Sequence, residues 1–196
     1  MLPPGIRRET KMKKVLWRAF FDYEKEEKWL NEMAAKGLAF NDYVFFRYTF
    51  TDCEPGEYIY RIELLDNLPG HPESKKYLGF MAENGVEHIS SWARWVYFRK
   101  KAAAGSFDIF SDIDSRLMHY RRIAMLWVPL MFMELAIGIS NIVIGLGSLH
   151  EEAHEISLPN LIAGALLICI FIAIFIAWNS LRLKVKALKQ EKALRE

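Results

Sequence analysis

The stretch Ile123–Leu149, IAMLWVPLMFMELAIGISNIVIGLGSL, decides how the rest of this chain is read. A helix rises 1.5 Å per residue, so about 20 apolar residues cover the ~30 Å of a bilayer's hydrocarbon. A second run, LPNLIAGALLICIFIAIFIAWNSL (Leu158–Leu181), reaches the same length. A soluble protein of 196 residues has too little mass to cover two such helices on all sides. The pair is therefore expected to cross a membrane as a hairpin. Pro129 falls early in the first helix, where neighbouring groups can satisfy the carbonyl it frees.

Flanking charge sets the expected orientation. Arg116, Arg121 and Arg122 precede the first run, and Arg182, Lys184, Lys186, Lys189 and Lys192 follow the second. The connection, HEEAHEIS, carries Glu151, Glu152 and Glu155 and no Lys or Arg. Cationic flanks are retained in the cytosol, so both termini are expected there, in a multi-pass cell-membrane protein of bacterial type. Trp127 and Trp178 sit just inside the two cytoplasmic ends, as in an aromatic belt. The expected organisation is a basic segment 1–13, a cytoplasmic domain 14–106 and a juxtamembrane helix 107–122. Spans at 123–149 and 158–181 follow, joined by an outside loop 150–157, and a basic tail 182–196 ends the chain.

Each apolar helix carries a face. Glu134, Gly138, Asn141 and Gly145 lie on one stripe of the first; Ala165, Cys169, Ala173 and Ala177 repeat every four residues on the second. Small residues let backbones approach and polar ones can bond between helices. An ionisable group at that depth is costly. Glu134 has three readings: a protonated side chain bonded to Asn141 or a backbone carbonyl, a contact in a homodimer or membrane-protein complex, or a role with an ion or proton.

The start, MLPPGIRRETKMKK, is basic with no apolar core behind it, so no signal peptide is expected. Cys53 and Cys169 are read as reduced thiols, because the second lies deep in an apolar run. Lys14–Phe21 reads as a strand. Asp22 can cap a helix over Tyr23–Lys36, ended by Gly37, with Trp29, Leu30, Met33 and Ala34 on its buried face. VFFRYTF (Val44–Phe50) alternates like one strand, and Pro55-Gly56 would turn it into a hairpin partner, YIYRIELL. Glu73–Asn84 forms a second helix, closed by Gly85, and Val86–Arg99 a last extended stretch.

That order, strand-helix-strand-strand-helix-strand, predicts an α+β domain of ferredoxin-like form, one sheet with both helices on one face. No internal repeat is evident. The other face would present Arg18, Arg47, Arg61, Trp95, Tyr97 and Arg99. Arginines and aromatics together suit an acidic peptide, a nucleic acid or a phosphate. The plain alternatives are a solvated face, or one closed by a second copy. The aromatic strand motifs of RNA-binding sheets are missing, so no direct nucleic-acid contact is expected. Ser111 or Asp114 would cap the juxtamembrane helix, and the tail's lysines would meet anionic lipid or solvent.

Three segments carry a resemblance: FDYEKEEKWLNEMAAKG (Phe21–Gly37), EYIYRIELL (Glu57–Leu65) and AENGVEHISSWARWVYFRK (Ala82–Lys100). They are similar to a domain-of-unknown-function family of Gram-positive bacteria. Where many members have Trp after the second Gly, this chain has Val86. The resemblance implies a soluble domain paired with C-terminal spans, often encoded beside PadR-type transcriptional regulators. It brings no catalytic residues and no cofactor.

One chemical motif stands out. His150-Glu151-Glu152-Ala153-His154 fits the H-E-x-x-H pattern, which on a helix sets two imidazoles toward zinc with a glutamate as base. A catalytic zinc also needs a third ligand, a cleft and neighbouring groups that orient its ligands, and a short loop between spans offers little of these. His150 and His154 are weak metal candidates, and a solvated acidic loop is the leading reading. His71, His88 and His119 have no metal-ligand spacing, and no phosphate loop or nucleophile elbow occurs. The expectation is a non-enzymatic, membrane-bound regulator or sensor that binds a cytoplasmic partner such as a PadR-like regulator. The alternatives are an accessory subunit of a transporter or channel and, more remotely, a metal-dependent enzyme.

Overall fold

The computed structural model describes residues 13–110, 112–147 and 157–195. The basic start (residues 1–12), Ser111 as a cap, and the loop with its His150–His154 motif lie outside the described residues. The chain divides into two compact units, Met1–Ile109 and Phe110–Glu196.

In the first unit the order is β1 (Lys13–Trp17), α1 (Tyr23–Ala35), β2 (Leu38–Val44), β3 (Arg47–Asp52), β4 (Tyr58–Leu64), α2 (Pro72–Glu83), β5 (Glu87–Trp92) and β6 (Trp95–Lys101). The α+β class holds as read from the sequence. The detail differs: six strands form two antiparallel three-stranded sheets, ordered β1-β3-β2 and β4-β6-β5, instead of four strands in one. VFFRYTF is broken by a turn at Phe45-Phe46, and Val86–Arg99 by a turn at Ala93-Arg94. Neither turn carries the Gly or Asn that usually supplies positive φ, yet Phe45, Phe46 and Ala93 have φ of 43°, 65° and 52°. YIYRIELL does not pair with the preceding strand; β4 pairs with β6, from Tyr58↔Lys101 to Leu64↔Trp95.

The two sheets are copies of one plan, a correction to the reading that no repeat exists. Each is a β-α-β-β unit in which the third strand lies between the first two, a split β-α-β. WLNEMAAKG (Trp29–Gly37) matches YLGFMAENG (Tyr77–Gly85) at Leu, Met, Ala and Gly. Both glycines adopt left-handed φ, +79° and +74°. The register slips between Phe40 and Asp42 in β2, and at the equivalent place between His88 and Ser90 in β5. The first and third strands end alike, with Arg18 N–H on Phe46 O and Leu65 N–H on Arg94 O, both at 2.9 Å. Gly37 has a second constraint: a Cβ there would lie 3.0 Å from Cys53 O, where Cys53 N–H reaches Gly37 O.

Helix α1 builds the larger core. Asp22 Oδ1 accepts Glu24 N–H at 3.0 Å and starts the helix. Trp29, Leu30, Met33 and Ala34 then pack on Phe40, Tyr48 and Phe50 of the first sheet and on Tyr60, Ile62 and Tyr97 of the second. Burying each large side chain fully contributes ~1.5–3 kcal/mol. Helix α2 covers the opposite face of the second sheet, where Met81 meets Val96 and Phe98. Strands β4 and β6 of that sheet therefore contribute buried residues on both faces, while β5 is largely exposed.

The edge of β4 is closed by side chains of α1. Asn31 Nδ2 donates to Tyr60 O at 3.0 Å, and Asn31 Oδ1 accepts Tyr60 N–H at 2.9 Å. Glu27 Oε2 accepts Ile62 N–H at 2.9 Å. A carboxamide and a carboxylate thus complete a ladder that another strand would otherwise complete. The two sheets meet where their bulges meet. Ser90 Oγ accepts Tyr43 N–H and donates to Asp42 Oδ1, each at 3.1 Å, and Asp42 and Ser90 are equivalent positions 48 residues apart.

The second unit is a hairpin of α3 (Ile113–Gly147) and α4 (Leu158–Arg195), both long and apolar enough to cross a membrane. Helix α3 is started by Asp112, whose Oδ1 accepts Ser115 N–H at 2.6 Å. Asp114, the cap expected from sequence, instead pairs with Lys192 Nζ at 2.7 Å. Along α3 the buried Leu117, Met131, Gly138 and Gly145 recur at multiples of seven, the spacing of a two-helix seam.

Candidate functional site

The most polar place in the core is on α1. Glu26 is 8% exposed, and the hydroxyls of Tyr48 and Tyr97 both donate to its Oε1 at 2.7 Å. Burial pushes this carboxyl above its usual range, while the two hydroxyls act to lower it. Burial, and then the charge of Glu26, push both tyrosines up, so they remain neutral donors. The cluster ties α1 to β3 and to β6 by two short charge-assisted bonds. Beside it, burial lifts Glu27 to about 7 against the lowering effects of the Ile62 N–H and of Arg61, whose Nη1 is 3.4 Å away. Among the described residues no group of His, Cys, Asp and Glu is placed to hold a metal ion. The hydrogen bonds of Glu26 and Glu27 fasten α1 to strands of both sheets.

The six residues expected on one sheet face are distributed. Tyr97 is in the core on Glu26. Trp95 packs half-buried on Tyr23, ring centres 5.8 Å apart. Arg61 pairs with Glu27, and Arg99 grips Glu87 through Nε and Nη2 at 2.9 and 2.7 Å while lying over Tyr58. Arg18 stacks on Phe20 and Trp29, at 4.8 and 5.3 Å from the ring centres. Arg47 is exposed, with Trp17 and Val44 as its cross-strand partners.

Around Arg47 lies a surface that the sequence alone did not assemble. The outer face of the first sheet presents Val15 and Trp17 of the edge strand β1 and Val44 of β2. Trp17 is 71% exposed. The turn adds Phe45, 60% exposed, with its ring 6.0 Å from that of the exposed Trp92 of the other hairpin. Exposed aromatics on two equivalent hairpins therefore meet at one end of the domain. Bulky residues in left-handed turn positions carry a strain that Asn-Gly would remove. Lys13, Lys14 and Arg47 supply positive charge on the same sheet. The sequence signal was present in Phe-Phe and in Trp-Ala-Arg-Trp, but it read as strand.

In the apolar hairpin, Gly138 and Gly145 of α3 stand in the seam against α4. On α4 the face that meets them is different. Ala165 and Cys169 are exposed, Ala173 and Ala177 partly so, and the close approach is made by Gly164. A Cβ on Gly164 would lie 2.7 Å from Ile142 Cγ1 and 2.9 Å from Gly138 O. Asn141 Nδ2 donates to Ile137 O of its own helix at 2.9 Å. Glu134 Oε2 is enclosed with no hydrogen-bond partner among the described residues.

A family model described as "Protein of unknown function (DUF2812)" matches residues 22–132, more than half of the chain. The match starts at the cap of α1 and ends inside α3. No curated protein and no solved structure matches.

Proposed function

This chain belongs to the DUF2812 family, and we propose that it is a non-enzymatic, membrane-anchored regulatory or sensor protein whose N-terminal domain binds a protein partner. The observations that carry this reading are the exposed Trp17 beside Arg47 on the first sheet and the exposed Phe45 and Trp92, whose rings lie 6.0 Å apart. Aromatics and arginine are the residues that dominate binding energy at interfaces, and an aromatic cluster left open to water favours a partner that covers it. Lys13, which shares the face of Val15 and Trp17, and Arg47 favour an acidic partner. The hairpin of α3 and α4 is the anchor, with the domain and both termini in the cytoplasm of a bacterial cell. Arg121, Arg182 and Lys186 at one end of the helices support that orientation. A PadR-like transcriptional regulator is the first partner to test, from the gene neighbourhood that the family resemblance implies.

The test is a pull-down of the full chain from detergent extracts, with and without envelope stress. The expected result is one cytoplasmic protein that is retained by the native chain and lost by Trp17→Ser/Trp92→Ser. Recovery of no cytoplasmic protein, or equal recovery by the variant, overturns the reading. A reporter fused to the last residue should be active only inside the cell.

A second reading has its own observation. Glu134 Oε2, enclosed and without a hydrogen-bond partner among the described residues, favours a donor from another membrane protein, as in an accessory subunit of a transporter or channel. Glu134→Gln should then disturb assembly in the membrane while leaving cytoplasmic partner capture intact.

A further inference from the structure

We propose that the hairpin holds one anionic phospholipid in a built groove at the basic end of α3 and α4. The inference rests on the bilayer-crossing reading of that hairpin. The groove has a volume of about 770 Å³ and is lined at one end by Tyr120 and Trp178, and further along by Arg121, Arg182, Lys186 and Lys189. Among the described residues no acidic side chain lines it. Four cations converging without a counter-charge make a site for phosphate, and basic pockets between helices on the cytoplasmic side are where anionic headgroups bind.

Depth supports a lipid over a free anion. The apolar run of α4 ends at Leu181, and the rise per residue places Lys186 only ~6 Å beyond Arg182. The headgroup layer is ~5–7 Å thick on each side of the hydrocarbon. Arg121, Arg182 and Lys186 therefore stand where lipid phosphates stand, and Lys189 stands just beyond them. Trp178 belongs at the same boundary. It fixes one of the cations, since the Arg182 guanidinium lies 4.6 Å from its ring centre. The partly buried Trp178 and Ala124 continue the groove toward the apolar side, where acyl chains would run.

The helix pair itself separates this site from the general attraction of a basic tail. Arg122 and Lys184 are adjacent to groove residues at nearly the same depth, but they do not line it. The full chain is reconstituted in phosphatidylcholine vesicles containing a minor share of brominated phosphatidylglycerol. Quenching of Trp178 is read as the difference between the native chain and Trp178→Phe. Saturable quenching is expected, weakened roughly tenfold in Arg121→Gln/Arg182→Gln and less than about twofold in Arg122→Gln/Lys184→Gln. Equal loss in the two double variants, or no preference for brominated phosphatidylglycerol over brominated phosphatidylcholine, overturns the proposal. Displacement of the brominated lipid by millimolar inorganic phosphate also overturns it, in favour of a soluble anion. Failure of the native chain to float with pure phosphatidylcholine vesicles would instead remove the membrane reading on which the proposal rests.

Discussion

Asn31 shows how much one side chain can carry in this fold. Its amide makes both bonds that a neighbouring strand would make to Tyr60. Asn31→Ala leaves a donor and an acceptor of β4 unmade in a half-buried place, and should cost ~1–3 kcal/mol in urea unfolding of the detergent-solubilised chain. Asn31→Asp keeps the acceptor and loses the donor, so it should fall between the two. Glu27 sets a pH dependence. Its carboxyl is raised to about 7 in the fold, so the folded state binds more protons than the unfolded state between the ordinary glutamate range and pH 7. The associated stability is fully present below the ordinary glutamate pKa and is lost as pH rises through about 7. Glu26, also raised, acts in the same direction. The midpoint of urea unfolding should therefore increase between pH 8 and pH 5. Glu27→Gln should flatten much of that slope, and an unchanged slope would place the raised carboxyl elsewhere.

At the level of elements, the β2–β3 hairpin sets stability against the proposed partner capture. Phe45 and Phe46 both occupy left-handed backbone, which costs an ordinary residue ~1–2 kcal/mol. Phe45→Asn/Phe46→Gly should raise the unfolding midpoint of the domain and at the same time weaken partner capture. Weakened capture with a lowered midpoint would mean that the aromatics serve packing instead. The α3–α4 seam gives a second prediction. Gly164→Leu must displace Ile142 and meets Gly138 O, so it should open the hairpin and lower its thermal stability in detergent. Gly147→Leu, with nothing within 4 Å of a Cβ, is the control and should leave the midpoint unchanged.

At the scale of the whole molecule, the chain is two units, and the second is built from two helices long and apolar enough to cross a membrane. The first unit has its own two cores, and its sheet edge at β4 is closed from within. A fragment covering residues 13–110 should therefore fold alone, with cooperative urea unfolding and the same pH slope as the full chain. A fragment that is soluble but non-cooperative would count against an independent unit. The duplicated β-α-β-β plan also explains where the exposed aromatics of the two hairpins fall. Two equivalent hairpins, joined at equivalent bulges, necessarily bring Phe45 and Trp92 to the same end.

The sequence by itself determined the apolar hairpin, both helices of the N-terminal unit and their glycine stops, because these depend on local run length, periodicity and capping. Asp22, Gly37 and Gly85 could be read directly, since each acts within one turn of its own position. The strand count was hidden because Phe45-Phe46 and Ala93-Arg94 turn without turn residues. Tertiary pairing supplies what the local chemistry withholds there. The repeat was faint for a related reason: only Leu, Met, Ala and Gly recur, while the other positions answer to different neighbours in each copy. Only the tertiary structure decided that Tyr97 is buried on Glu26, that Arg61 and Arg99 are already paired, and that Gly164 rather than Ala165 meets α3. Alternation tells which residues share a strand face. What covers that face depends on contacts between residues far apart in the chain, and no local pattern encodes them.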